Sequence, residues 1–417
     1  MRPSLLALAL AAVACSHPPQ PSAPAAARSM TVPTVTPRAL RVYRDAFVID
    51  MHNDLASRIL DDGYDPDVRH APGFGPREGH TDLPRLVESG ITAQFMSAWV
   101  SSSYASSPGA SFERAREQVA TIRAWVDRHP ERLRFATTAA DVRRARQDGR
   151  IAILIGVEGG HAIESSLDRL RDLHALGVRY LTLTWNNGLP WAGAALGEAG
   201  TRTGGLTDFG RDVVREMNRL GMLVDISHVS DSTFYDAVAV STAPVIASHS
   251  SARALAGSPR NLTDDQLRAV ARTGGVVNVN FFSRFLDDEY RSRAESVEAR
   301  IRAARASLQG DPAGAAATAR IPALRDSLLA AIPPTPFGVL VDHIDHVARV
   351  AGIDHVGLGS DFDGVSALPH GMEDVTRLPR IAQALLDRGW SEGDVQKALG
   401  GNMLRVMTRV LDGATAR

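Results

Sequence analysis

The chain has 417 residues, of which 44% are hydrophobic and 22% are charged, and this composition is typical of a globular protein. Its formal net charge is −1, so charge gives no reason to expect nucleic acid or an acidic surface as a partner. The only cysteine is Cys15 and the only lysine is Lys397. The region after residue 15 therefore has no disulfide, no thiol nucleophile and no thiolate metal ligand.

Residues 1–15 are predicted to form a targeting segment. Arg2 precedes an apolar run, Leu5 to Val13, that is too short to span a bilayer but suits the central region of a secretory signal. The sequence AVAC, which ends at Cys15, resembles the lipobox of bacterial lipoproteins, in which the cysteine is lipidated. We expect an exported lipoprotein of the cell envelope that faces the periplasm, and Ser16 points to the outer membrane. Ordinary signal cleavage nearby is the alternative.

The segment that follows, residues 16–37, is rich in proline, alanine and serine, a composition typical of a tether. The folded domain is predicted to span residues 38–417. Within it, short apolar segments alternate with longer segments of helical periodicity, as in βα units around a parallel sheet. The eight predicted strands are 47–52, 91–100, 151–157, 179–184, 222–227, 244–249, 275–281 and 355–361.

Eight strands with intervening helices predict a (β/α)8 barrel. A doubly wound sheet usually has fewer strands, and the glycine-rich phosphate loop expected after its first strand is missing here. Residues 284–335, which are rich in arginine and alanine, are too long for a simple connection. We expect them to form a helical insertion between the seventh and eighth strands.

Imidazole and carboxylate side chains stand at the ends of five predicted strands. In chain order they are His52 and Asp54, Glu158, His228, His249 and Asp361. Active sites of such barrels lie at the C-terminal ends of the strands, so these groups are expected to converge on one rim. Imidazole and carboxylate are ligands that suit zinc and other divalent metals.

Taken singly, these residues have simpler explanations. A histidine at a strand end is usually a satisfied polar residue, and Asp361 lies in a turn-like DFDG segment where Asp363 competes with it for any role. Glu158 is harder to explain, because no basic residue lies close in sequence to compensate its charge after a buried strand. Arg260 reads most simply as a solvated loop residue. The convergence of the other groups favours a metal site.

Seven segments resemble the membrane (renal-type) dipeptidases, which are zinc dipeptidases of the amidohydrolase superfamily. They are HND, GVEGGHAIESSLDRLRDLHALGVRYLTLTW, VDISHVS, ASHSSARAL, RNLTDDQLR, GSDFDG and LGGNMLRVM, spread over residues 40–412. The resemblance implies a distorted (β/α)8 barrel with two zinc ions per chain and hydrolysis of free dipeptides by a metal-bridging hydroxide. A homodimer is also a family expectation.

The resemblance assigns metal ligands by position. His52 and Asp54 correspond to ligands of one zinc, and His228 and His249 to ligands of the other. Glu158 corresponds to the carboxylate that bridges both. Many related amidohydrolases bridge their metals with a carboxylated lysine instead, and this chain has none in a suitable place.

Two further residues acquire roles from the resemblance. Arg260 matches the residue that binds the substrate's terminal carboxylate, a task that suits the bidentate guanidinium. Asp361 matches the acidic residue beside the metals that handles protons and contacts the substrate amine. With Glu158, it completes the implied catalytic centre.

One position departs from the family pattern. Its best-studied members have LTLTH after the fourth strand, where the histidine contacts the substrate, whereas this chain has LTLTWNN with Trp185 at that position. An indole donates one hydrogen bond but carries no positive charge. Either Trp185 or Asn186 takes over the contact, or the substrate differs. His161 could replace the missing imidazole, but we expect a structural role for it.

Two rival functions therefore stay open. The first is another amidohydrolase-type reaction on the same metal site, with a lactone, a phosphoester or a modified amino-acid amide as substrate. The second is a non-catalytic lipoprotein that binds metal or peptide. The complete ligand set favours an enzyme over the second, and a substrate panel would separate the first.

Overall fold

The computed structural model describes residues 30–75, 77–197, 204–308 and 314–413. The predicted targeting segment, Cys15 and residues 16–29 of the predicted tether lie outside them. The strands of the described chain are β1 Ile49–Asp50, β2 Ala93–Trp99, β3 Leu133–Phe135, β4 Ile151–Glu158, β5 Val178–Thr182, β6 Leu223–Asp225, β7 Val245–Ala247, β8 Val276–Val279 and β9 Val356–Leu358.

Eight of these strands close a parallel barrel in the order β1–β2–β4–β5–β6–β7–β8–β9, with β9 pairing back onto β1. The predicted (β/α)8 barrel is confirmed, and each predicted strand overlaps one barrel strand, although β4 extends one residue further, to Glu158, and β5 begins one residue earlier, at Val178. The short β3 was not predicted. It pairs with the first half of β4, whereas β5 pairs with the second half from Ile155 onward.

The helices lie outside the barrel in the expected alternation. They are α1 Pro37–Asp45, α2 Leu55–Asp61, α3 Leu83–Ser89, α4 Ala110–Arg128, α5 Ala139–Gln147, α6 Leu167–Ala175, α7 Asp208–Leu220, α8 Asp231–Val240, α9 Asp264–Thr273, α10 Ser283–Leu286, α11 Asp288–Leu308, α12 Gly314–Ala330, α13 Phe337–Ala351, α14 Pro379–Asp387, α15 Glu392–Gln396 and α16 Asn402–Met407. Among the described helices, none is long and apolar enough to cross a membrane.

The predicted helical insertion before the last strand is confirmed. Helices α10, α11 and α12 lie between β8 and the barrel helix α13. Val297 and Ile301 of α11 bury against Ile321 of α12 and form a small core separate from that of the barrel. The insertion can therefore pack as a helical hairpin beside the barrel without disturbing the strands.

Strand β4 shows how the barrel aims a side chain at the site. Its residues alternate between two cores: Ala152 and Leu154 pack inside the barrel, whereas Ile153 and Ile155 pack against the outer helices. Both faces are buried, so the strand reads as an unbroken apolar run. Glu158 shares the even spacing of Ala152 and Leu154 and therefore faces inward at the C-terminal rim.

Candidate metal centre

Glu158 lies at the centre of the cluster of predicted ligands, and its two carboxylate oxygens face different groups. Oε2 lies 3.2 Å from His52 Nε2, which in turn lies 3.3 Å from Asp54 Oδ2. Oε1 lies 2.8 Å from His228 Nε2 and 3.5 Å from His249 Nε2. The other four predicted metal ligands thus lie around the Glu158 carboxylate, with a β1 side (His52 and Asp54) and a β6–β7 side (His228 and His249).

The cluster carries the marks of a cation site. His228 Nε2 and His249 Nε2 lie only 2.9 Å apart, and two nitrogen lone pairs repel at that distance unless a proton or a cation lies between them. His52 Nε2 and Asp54 Oδ1 are buried without a hydrogen-bond partner. Buried polar atoms are rarely left unpaired, so this donor set fits divalent cations. Three groups of potential ligand atoms can be drawn here, each within 4.8 Å, and Glu158 belongs to two of them.

The far nitrogen of each histidine is held by a protein oxygen. His52 Nδ1 lies 2.9 Å from Tyr180 Oη, His228 Nδ1 3.0 Å from Asn186 Oδ1, and His249 Nδ1 2.8 Å from Ser248 Oγ. We assign Nδ1 as the donor in all three cases. Each Nε2 then presents a lone pair to the cluster, which is the tautomer that a metal ligand requires.

Two buried aspartates support the ligands from below. Asp50 accepts hydrogen bonds from the backbone N–H and hydroxyl of Ser360, at 2.7 and 2.6 Å. Asp225 accepts from the backbone N–H and hydroxyl of Ser248, at 2.8 and 2.6 Å. Each aspartate therefore ties its own strand to the next one, and Ser248 also contacts His249.

The two sides of the cluster differ in their electrostatics. Burial opposes protonation of His52, but Tyr180 and the carboxylates of Asp54 and Glu158 outweigh it and raise the pKa of His52 well above its ordinary value. Burial and the nearby Arg260 guanidinium lower the pKa of His228 to about 4. The β1 side adds a carboxylate, Asp54, to the shared Glu158, whereas the β6–β7 side adds only imidazoles and has a guanidinium close by.

Asp361 lies beside the cluster, as predicted, and forms one of the ligand-atom groups with His52 and His249. Its Oδ2 accepts a 2.8 Å hydrogen bond from Asn280 Nδ2, so that Oδ1 is the oxygen not bound by Asn280. Burial and two neighbouring carboxylates raise the pKa of Asp361 to about 7, against the opposing effect of His52. A carboxyl group that titrates near neutrality suits proton transfer.

Asp363, the competing residue, is engaged elsewhere. Its Oδ1 accepts from the backbone N–H of His80 at 2.8 Å, and its own N–H donates to His80 Nδ1 at 2.9 Å. Gly364 follows, and a Cβ at that position would overlap the carboxylates of Asp54 and Asp361. The DFDG segment thus presents Asp361 to the cluster, while Asp363 anchors the loop.

Arg260 is buried behind His249 rather than solvated. Its Nη2 donates to the backbone oxygen of His249 at 3.3 Å, and its guanidinium stacks 5.3 Å from the ring centre of Phe285. Burial lowers the pKa of Arg260 to about 10, although Glu158 and Asp361 oppose the shift. Its Nε is buried without a hydrogen-bond partner. The predicted contact with a substrate carboxylate stays a prediction.

A cavity of about 390 Å³ opens above the cluster. Trp185 lines this cavity, and its ring contacts Trp99 edge-on with 5.2 Å between ring centres. Asn186 lines it too and holds His228. His161 donates from Nε2 to the backbone oxygen of Val100 at 2.9 Å, which accords with the structural role expected for it.

Several functional neighbours were missed at the level of sequence. Tyr180, Ser248, Asp225 and Asn280 each contact a ligand, or a group that contacts one. Ser248 and Asp225 carry a visible signal, since a serine directly precedes the histidine in ASH and an aspartate precedes the histidine by three residues in VDISH. Tyr180 and Asn280 carry none, because each reaches the site only through the closure of the barrel.

A parallel (β/α)8 barrel with a buried imidazole and carboxylate cluster at its C-terminal rim defines the class of metal-dependent barrel hydrolases. The chain belongs to the membrane dipeptidase family (peptidase family M19), whose model matches residues 36–416. It is a metal-dependent dipeptidase.

Solved structures agree with this assignment. A metallopeptidase from Rhodobacter sphaeroides, bound to a phosphinate mimic of L-Ala-D-Ala, is 29% identical with a TM-score of 0.69, covering 88% of this chain and 100% of that one. A dipeptidase of family M19 is also 29% identical with a TM-score of 0.69, covering 87% and 98%. The probable dipeptidase PvdM from Pseudomonas aeruginosa, at 24% identity and TM-score 0.75, covers 90% and 98% and supports the fold.

Proposed function

We propose that this protein is a binuclear zinc dipeptidase that hydrolyses free dipeptides. The observation that carries the proposal is the placement of Glu158, whose Oε2 faces the β1 side and whose Oε1 faces the β6–β7 side. A carboxylate with one oxygen toward each group of ligands is arranged to bridge two cations. His52 and Asp54 would hold one zinc, and His228 and His249 the other.

Zinc held by these residues would supply Lewis acidity, which makes hydroxide available near pH 7. Asp361 would accept the proton of the attacking water at Oδ1, because Asn280 occupies Oδ2. The same carboxyl group would then return the proton to the leaving amine. The position of Asp361 beside His52 and His249 supports both halves of this cycle.

Arg260 would fix the free carboxylate of the substrate. Its guanidinium lies directly behind His249, and its Nε has no hydrogen-bond partner. A clamp on the terminal carboxylate beside the metal ligands would favour dipeptides over longer peptides. The phosphinate mimic bound to the Rhodobacter sphaeroides enzyme supports a dipeptide as the ligand class.

We also propose that the protein reaches the cell envelope by an N-terminal lipid on Cys15. The support is the sequence AVAC after a short apolar run. Cys15→Ser should release the protein from the membrane fraction and abolish incorporation of labelled fatty acid. Membrane association and labelling that survive this substitution would contradict the lipid anchor.

The test of the proposed activity combines metal analysis with a substrate screen on zinc-loaded protein lacking residues 1–29, which keeps Thr36 and helix α1. We expect close to two zinc ions per chain, with cleavage of dipeptides but not tripeptides. Two metals with cleavage of lactones or phosphoesters alone would overturn the dipeptidase assignment. Tight dipeptide binding without turnover would point instead to a binding protein.

A further inference from the structure

Two tryptophans form one side of the active-site cavity. Trp99 ends β2 and pairs in register with Glu158 of β4, and Trp185 follows β5 on the other side of the same strand. Their ring centres lie 5.2 Å apart with 68° between the ring planes, an edge-to-face arrangement. We call Trp99 and Trp185 the indole wall. It stands directly beside the carboxylate at the centre of the metal cluster.

The indole wall is held from behind. Gln118 of α4 donates a hydrogen bond to the backbone oxygen of Trp99. Asn186, adjacent to Trp185, is anchored to His228 at 3.0 Å. Both indoles remain partly exposed on the cavity side. A rigid aromatic surface that keeps contact with the cavity is suited to pack against a ligand group rather than to fill a core.

The opposite side of the cavity is apolar as well. Phe74, Phe282, Phe285 and Val365 line it, and Phe74 is 45% exposed. The polar groups of the metal cluster would face the atoms that a dipeptide shares with every other dipeptide. Dipeptides differ from one another in their side chains, and in this cavity those side chains would contact aromatic residues.

Charge at the mouth of the cavity does not compete with this preference. Two aspartates line the mouth, but each is paired: Asp61 accepts from Arg114 at 2.6 and 2.7 Å, and Asp62 accepts from Arg58 at 2.5 Å. Paired carboxylates offer little selection for a cationic side chain, because their charge is already compensated.

We propose that the indole wall selects dipeptides that carry a large apolar side chain, with aromatic residues preferred. This inference rests on the proposed dipeptidase function and names its substrate class. Apolar pockets discriminate by roughly 10–200-fold per side-chain feature. We therefore expect a kcat/KM at least about tenfold higher for dipeptides containing phenylalanine than for Ala-Ala.

The experiment compares kcat/KM for Ala-Ala, Phe-Ala, Ala-Phe, Glu-Ala and Lys-Ala, with an L- or a D-residue in the second position. The variants are Trp185→Ala, Trp99→Ala and the conservative Trp185→Phe. Tyr235→Ala is the matched control, since Tyr235 is an exposed aromatic residue outside the cavity. Which of Phe-Ala and Ala-Phe is preferred tells which substrate side chain meets the wall.

We expect the preference for phenylalanine to fall to near unity in Trp185→Ala and Trp99→Ala, to survive in Trp185→Phe and to be unchanged in Tyr235→Ala. A wild-type enzyme that cleaves Ala-Ala as well as Phe-containing dipeptides would overturn the inference while leaving the dipeptidase function intact. So would a preference that persists in both alanine variants. Cleavage of no dipeptide at all would overturn the proposed function and this inference together.

Discussion

The two sides of the metal cluster are built by the same device but with different charge. On the β1 side, buried Asp50 accepts two hydrogen bonds from Ser360, and on the β6–β7 side, buried Asp225 accepts two from Ser248. The ligands above them differ, because one side adds a carboxylate and the other has two imidazoles. The same aspartate–serine arrangement therefore supports the ligands on both sides, and the type of ligand residue sets the charge of each side.

The supports of the two sides also differ in reach. Ser248 contacts His249 next to it in the chain, whereas His52 is held by Tyr180 from a strand on the far side of Glu158. On the β1 side the contact to His52 forms only when the barrel closes, whereas on the β6–β7 side His249 is held by its neighbour in sequence and His228 by Asn186, which follows the adjacent strand β5. We expect the more anionic β1 side to bind its cation more tightly.

Glu158 is the residue that both sides share, and its substitution is expected to have the largest effect. Glu158→Ala should abolish metal binding on both sides and reduce turnover to background, because each side loses one of its three anionic or imidazole ligands. Metal content per chain and dipeptide turnover are the readouts. Glu113→Ala on the exposed face of α4 is the matched control. Retention of two metals in Glu158→Ala would show that the sides are independent.

The second prediction separates metal binding from proton transfer. Asp361→Asn should keep both metals yet slow turnover by on the order of a hundredfold or more, since the amide cannot accept and return the proton. Steady-state kinetics with parallel metal analysis measures this. Full activity in this variant would remove Asp361 from the proton cycle.

The third prediction addresses each side in turn. Ser248→Ala should weaken metal binding on the β6–β7 side by about 10–100-fold, because the partner of His249 Nδ1 is lost. Tyr180→Phe should do the same on the β1 side. Titration with a chelator, followed by metal analysis, should show the two metal ions leaving one after the other. Equal weakening of both metals by either substitution would contradict separate supports.

The last prediction concerns Asp363, outside both sides, where the expected effect is on stability and not on metal binding or turnover. Burial raises the pKa of Asp363 to about 6, so the folded state holds the proton more tightly than the unfolded state, in which the pKa is about 4. Ionisation of Asp363 therefore lowers the free energy of unfolding as the pH rises through this window, by up to about 3 kcal/mol. Between pH 4 and pH 7, metal-free wild type should lose stability relative to Asp363→Asn. Urea unfolding at each pH measures the free energy of unfolding of the two proteins. A difference between them that stays constant from pH 4 to pH 7 would contradict this prediction.

Most of the barrel could be predicted because its strands are apolar on both faces and end in polar residues. Strand β3 escaped prediction, since LRF has one buried residue and two half-buried ones and pairs with only half of β4. Strand β5 pairs with β4 only from Ile155 onward, so the first half of β4 is left for β3 to pair with, and no local sequence pattern shows this.

The ligand set could also be predicted, because each ligand directly follows or ends a strand. The supports across the barrel could not, since Tyr180 and His52 are 128 residues apart and meet only when the barrel closes. The setting of Arg260 likewise depends on tertiary packing, because SPRNL reads as a surface loop but folds behind His249.

Anomalous X-ray diffraction of zinc-loaded crystals at the zinc edge would show whether Glu158 joins two metal sites. We expect two anomalous peaks per chain, one beside Oε2 with His52 and Asp54 and the other beside Oε1 with His228 and His249. A single peak, or a second peak that does not contact Glu158, would contradict it.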